Sequence, residues 1–231
     1  EDPVSPIGGK YTYAVGKGNE ALSAATAAAA GDDNFVLTLG GDHSLAMGSI
    51  AGVLTQRPDL GVVWVDAHAD LNDPRTSPSG NVHGMPLSFL TRLIDAAQVP
   101  GCEWVLNTPA LSFDKLVYIG LRDVDQGEID AIKRHNIKAF TMHHVDRYGI
   151  GKVMEMALDH VGSAGNPLHL SYDIDAVDPE VAPSTGTTVK GGLNYREAHY
   201  VAEALAESRQ LASMDLVEVN PKLTNDVGAM L

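Results

Sequence analysis

The sequence is poor in cysteine, in basic residues and in long apolar runs, and each shortage removes a class of explanation. Its single cysteine, Cys102, rules out an internal disulfide and a thiolate cage for a metal. Nothing around it in sequence would activate a thiol, so an inert side chain is expected. No apolar run reaches the roughly 18 residues that cross a bilayer, so no membrane partner is expected. Lys and Arg number 16 against 30 Asp and Glu, and the formal charge of −14 would repel nucleic-acid phosphates. No secretory signal opens the chain at Glu1; the expected place is the cytoplasm, with a mitochondrion or other organelle left open should a segment precede Glu1.

What is present is a globular composition, 44% hydrophobic with 23 Gly and 12 Pro, in 231 residues that no repeat, linker or low-complexity block divides. That length suits one α/β domain. Apolar runs at 34–39, 60–65, 116–121, 137–142, 167–172 and 211–217 read as strands. Stretches at 19–30, 44–56, 86–94, 128–134, 152–160 and 195–208 read as helices between them. The first helix rests on its alanines and on Gly31 at its end, and Gly16 and Gly18 before it read as a simple turn. Met154 and Met156 read as core filling. His143 and His144 read as surface or loop residues, because neighbours along a strand point to opposite faces. The alternation predicts a single-domain three-layer α/β/α fold on a parallel sheet, whose ligands lie beyond the carboxyl ends of the strands.

The stretch 62–83, VVWVDAHADLNDPRTSPSGNVH, organises the rest. In extended backbone Asp66, His68 and Asp70 share one face, and a divalent cation offsets the repulsion of acids so placed. Asp173 and Asp175 repeat the pattern of a strand ending in acids. His43, Asp125 and Glu218 also stand at or just past the end of an apolar run. Two imidazoles and four carboxylates are too many for one tetrahedral zinc and suit two ions of manganese-like preference that share a carboxylate. Such a pair activates water near neutral pH, so the expected reaction is hydrolysis at an electrophilic carbon. His83, on the loop beside this cluster, is placed to protonate a leaving group.

Four segments, GGDHS at 40–44, DAHAD at 66–70, SGNVHG at 79–84 and SYDIDAVDP at 171–179, together closely resemble arginase, of the ureohydrolase superfamily. The resemblance spans about Gly40 to Pro221. It implies two Mn²⁺, one held by His43, Asp66, Asp70 and Asp173 and the other by Asp66, His68, Asp173 and Asp175, and a bridging hydroxide that converts L-arginine to L-ornithine and urea. Asp70 would accept a hydrogen bond from that hydroxide, Glu218 would bind the guanidinium, and His83 would transfer the proton. Asn72, Ser79 and Asn81 would receive the substrate carboxylate, Asp125 and Glu128 its amino group, and Ser77 and Thr187 would line the pocket. The resemblance also implies a homotrimer, with Asp146 and Arg196 at positions that can pair between subunits.

The family's sheet has eight strands, whereas six are legible here. The expectation is therefore an arginase-like catalytic domain over 1–231 that lacks N-terminal strands and part of its C-terminal end; a sheet missing interior strands would expose paired edges and apolar faces. An agmatinase, or another amidinohydrolase of guanidino compounds, is the alternative. A catalytically silent member would show broken ligands, and none of the six is broken.

Overall fold

The computed structural model describes residues 3–162 and 165–223. In chain order its elements are α1 (Thr12–Ala30), β1 (Val36–Leu39), α2 (Ala46–Gln56), β2 (Gly61–Val65), α3 (Pro86–Leu90), β3 (Leu116–Leu121), α4 (Gln126–Arg134), β4 (Lys138–Thr141), α5 (Met142–Tyr148), α6 (Ile150–Val161), β5 (Leu168–Asp173), α7 (Tyr195–Glu207) and β6 (Leu211–Val217). The strands form one six-stranded sheet in the order β1-β6-β5-β2-β3-β4, every pairing parallel. The fold is the expected α/β/α arrangement. No described helix is long and apolar enough to cross a membrane.

Strands β2, β3 and β5 are buried along their whole length, as a parallel sheet covered on both faces requires. Alternate residues feed two cores. Val62, Trp64, Leu116 and Tyr118 pack with α2, α3 and the buried loop 94–111. Val63, Val65, Val117, Ile119 and Leu170 pack with α5, α6 and α7. Helix α1 lies on α2 through small polar groups, with the Gly48 amide donating to Asn19 Oδ1 at 2.8 Å.

Several expectations need correction. Gly16 and Gly18 lie inside α1, which begins at Thr12. A Cβ on Gly16 would stand 2.2 Å from the Gly101 carbonyl oxygen, so the glycine serves a close approach of helix and loop, and the intrinsic propensity cost is overridden by packing. The helix expected at 86–94 ends at Leu90, and Arg92 has a left-handed φ of 63°. His143 and His144 keep the expected surface place, exposed and half-buried respectively, but on helix α5; His144 Nδ1 accepts from the Thr141 amide at 3.0 Å and closes the helix start. Among the described residues the six strands pair without a gap, and the exposed apolar side chains Leu37 and Leu39 belong to the edge strand β1. Arg196 is engaged within its own helix by Glu203, at 3.0 and 2.7 Å.

Candidate metal centre

Register brings the site together before any side chain is considered. Val65 pairs with Tyr172, Tyr172 with Leu216, and Leu216 with Leu39, so the residues that follow these four strand ends emerge at one level. Strands β2 and β5 are neighbours whose chains turn away in opposite directions, β2 toward β3 and β5 toward β6. That divergence opens a crevice at the carboxyl edge, the usual ligand position in such sheets.

Among the described residues three groups could hold a metal ion: Asp42, His83 and Glu218 at the more exposed rim, and two overlapping groups deeper in the crevice. One is His43, Asp66 and Asp70, and the other is Asp66, His68 and Asp175, with Asp66 common to both. His43 Nδ1 lies 3.1 Å from Asp173 Oδ2 and 3.2 Å from both Asp66 Oδ2 and Asp70 Oδ2. His68 Nδ1 lies 3.0 Å from Asp175 Oδ2 and 3.3 Å from Asp66 Oδ1. Each group thus has an imidazole nitrogen turned into a ring of carboxylate oxygens. The donors are hard oxygens with one imidazole each, a set that fits a Mn-like divalent ion, and their excess negative charge calls for cations.

Protonation in the metal-free protein shows the strain of this packing. Burial and then the Asp66 charge push the Asp70 and Asp175 carboxyls up to about 6. Burial, followed by the same charge, raises Asp173 well above the ordinary carboxyl range. Burial alone would lower both imidazoles, yet the facing carboxylates outweigh it, raising His43 well above its ordinary value and His68 to about 11. Asp70 and Glu218 hold left-handed φ angles of 48° and 61°. Non-glycine residues kept so cost about 1–3 kcal/mol each and persist where surrounding structure dictates them.

A cavity of about 320 Å³ opens over the centre, lined by His43, His68, Asp70, Asn72, Ser79, Asn81, His83, Gly84, Asp123, Asp125, Glu128, Asp173, Asp175, Thr187 and Glu218. Asp66 lies beneath it, fully buried. Glu218 Oε1 accepts from the His43 amide at 2.7 Å, and its side chain lines the cavity. Asn72 Nδ2 donates to Asp125 Oδ2 at 3.0 Å.

Two expected residues are placed differently from the rest. Glu128 reaches the cavity wall but is only 3% exposed, and its oxygens accept from the Leu71 amide at 2.9 Å and the Asp125 amide at 3.0 Å. It therefore holds the wall and caps α4, and burial raises it to about 7. Ser77 is not brought to the cavity lining: its hydroxyl accepts from the Gly80 amide at 3.0 Å and shapes the loop.

Four supporting residues escaped the sequence reading. Trp64 Nε1 donates to Asp66 Oδ2 at 2.9 Å while its ring stacks on His43, centroids 4.1 Å apart. Ser171 Oγ meets His43 Nε2 at 2.8 Å. Asp42 Oδ2 lies 3.3 Å from His83 Nδ1; burial would raise this carboxyl, but hydrogen bonds from His83 and Ser44 hold it at about 2. Asp123 Oδ2 stands 3.9 Å from His68 Nε2. The only available signal was position: Trp64 and Ser171 each lie two residues before a ligand on the same strand face.

A family model described as the arginase family matches residues 6–231. An arginase of Emericella nidulans is 51% identical over 228 residues, covering 96% of this chain and 70% of its own length. An arginase of Glaciozyma antarctica is 52% identical over 208 residues, covering 85% of this chain and 60% of its own. The solved arginase from Bacillus caldovelox superimposes with a TM-score of 0.89 at 42% identity, covering 97% of this chain and 74% of that one. The chain thus spans 60% to 70% of the length of these curated relatives.

Proposed function

The chain belongs to the arginase family, and from that premise we propose that it hydrolyses L-arginine to L-ornithine and urea with two Mn²⁺ ions. His43, Asp66, Asp70 and Asp173 would hold one ion and Asp66, His68, Asp173 and Asp175 the other. When bound, such a pair supplies at neutral pH the nucleophilic strength that free water lacks.

The chain's own residues do the rest. Glu218, with one oxygen fixed by the His43 amide, presents the other to the guanidinium and sets the scissile carbon over the ligands. Asp70 accepts the hydrogen bond that orients the nucleophile. His83 lines the cavity with Nδ1 committed to Asp42, which leaves Nε2 to hand a proton to the departing amine. At the far end, Ser79 and Asn81 offer neutral donors to the substrate carboxylate, and Asn72 joins them while tied to Asp125. Asp125 receives the α-amino group in a charge-assisted bond, with Glu128 setting its position from behind and Thr187 closing the wall.

The observation that carries the reading is one cavity with crowded carboxylates at one end and paired neutral donors and an acid at the other. Only a substrate with both a guanidinium and an amino-acid head uses both ends. The test is urea release from L-arginine and from agmatine by Mn-loaded and metal-stripped protein. Arginine should exceed agmatine in kcat/KM by at least about 10³-fold, because agmatine leaves the head-group donors unpaired. Comparable rates on the two would make the protein an agmatinase.

The same reading takes residues 1–231 as one catalytic domain, places the whole protein in the cytoplasm and makes it a homotrimer. Light scattering on the full-length protein tests the assembly. An active monomer would remove it from the account.

A further inference from the structure

Beneath the centre, on the sheet face covered by α2, runs a column of polar side chains whose lower members, His169, Ser213 and Asp215, no role above uses. Strand β5 turns His169, Ser171 and Asp173 to that face, and β6 turns Ser213 and Asp215 to it. Register sets Ser213 beside His169 and Asp215 beside Ser171. His169 and Ser213 are 1% exposed, and Ser171 and Asp215 are fully buried.

The lower half of the column is closed. His169 meets Ser213 Oγ through Nδ1 at 2.8 Å and Asp215 Oδ2 through Nε2 at 3.1 Å. Ser49, from α2, donates to the same Asp215 oxygen at 2.6 Å. In the upper half, Ser171 Oγ meets His43 Nε2 at 2.8 Å. Between the halves stands Asp215 Oδ1, buried and without a hydrogen-bond partner among the described residues. An open acceptor in the core is costly and calls for a donor.

The direction of the bonds supplies one. His43 turns Nδ1 to the carboxylates, so an imidazole that gives Nδ1 to a cation carries its proton on Nε2 and donates it to Ser171 Oγ. The serine hydroxyl then has its own hydrogen to place. The open oxygen at the adjacent register position, which makes no hydrogen bond to Ser171 in the metal-free protein, is the acceptor the column leaves for it.

We propose that Asp215 is a positioning residue for metal ligand His43: Oδ1 takes the Ser171 hydroxyl hydrogen, which holds the serine oxygen as acceptor and fixes the tautomer and ring orientation of His43. The inference rests on the ligand set proposed above. It makes the His169–Asp215–Ser171 column a support for one ion and not the other, since His68 has no contact with it.

The test challenges Mn-loaded full-chain protein with a chelator and follows the two ions separately in wild type, Asp215→Asn, Ser171→Ala and the double variant. Each single substitution should weaken one ion about 10- to 100-fold and leave the other unchanged. The double variant should be no weaker than Ser171→Ala, because the acid acts through the serine. Additive losses, equal weakening of both ions, or an unaffected Asp215→Asn would overturn the proposal. Should Asp215→Asn fail to fold, a crystal structure of Mn-loaded wild type decides: Ser171 Oγ within hydrogen-bond distance of Asp215 Oδ1 supports the relay, and a water on Oδ1 with no serine contact overturns it. A wild type that binds no ion at all would instead overturn the ligand set, and the relay with it.

Discussion

The two halves of the metal centre share Asp66 but are built differently. The half on His43 is sealed: the imidazole is 1% exposed, stacked on Trp64, and held at Nε2 by Ser171. The half on His68 is more open and less braced: that side chain is 21% exposed, and its Nε2, though buried, has no hydrogen-bond partner among the described residues, with Asp123 3.9 Å away. Ligands fixed by a surrounding shell hold a metal better than ligands free to turn. The sealed half should therefore keep its ion longer, and the open half should exchange with solvent first.

The comparison breaks completely if the shared ligand is removed. Asp66→Asn should lose both ions and all measurable urea release, whereas retention of one tightly bound equivalent would show that the halves are independent. His68→Asn sharpens it: one ion should be lost and the other kept, with a smaller fall in thermal stability than in His43→Asn, because the His43 imidazole also packs against Trp64 in the core. Differential scanning calorimetry alongside metal analysis reads both quantities.

His83 belongs to neither half. Replacing it with alanine should lower kcat by roughly 10²- to 10⁴-fold with metal content unchanged. Loss of an equivalent would make it a ligand.

The head-group contacts proposed for Ser79 and Asn72 should matter less still. Ser79→Ala and Asn72→Ala should each raise KM for arginine by about tenfold, at about 1–3 kcal/mol for an unpaired buried partner, and narrow the gap to agmatine. An unchanged substrate ratio would reduce this loop to a turn.

The smallest effect expected is one of pH, and it should treat the halves alike. Asp70 and Asp175 titrate at about 6 in the metal-free fold against an ordinary 3.8. A raised carboxyl stabilises the metal-free fold below its ordinary value, and that contribution is lost as pH rises through about 6. Metal binding runs the opposite way, since each ion must displace one of those protons, so on this account the apparent Mn affinity of each half should rise by about fourfold from pH 5.5 to 7.5. Titration calorimetry at the two values reads it; a flat profile would mean that these carboxyls are ionised before the metal arrives.

Much of the fold was legible because buried parallel strands are continuous apolar runs. The strands at 116–121 and 211–217 fall on the expected residues, and the acids that end them are where a parallel sheet puts its ligands. The failures have physical causes. The first turns of α1 were hidden by Gly16, whose purpose is a loop 85 residues away in the chain. The second role of Glu128, closing the start of α4 and holding the Leu71 amide, is invisible until the fold sets its two oxygens on those amides.

Sequence alone determined that Asp66, His68 and Asp70 follow a buried strand end at every second position, which points to cation chemistry; they meet through a bent backbone, with Asp70 at a left-handed φ of 48°, and not along one extended face. It also determined the element alternation that puts such strand ends at one sheet edge. Only the tertiary structure decided how the ligands divide into a sealed and an open half. That division depends on Trp64, Ser171, Asp42 and Asp123, whose roles come from strand register and helix placement and from partners as much as 128 residues distant. Periodicity is a property of neighbours along the chain; enclosure is a property of what packs across it.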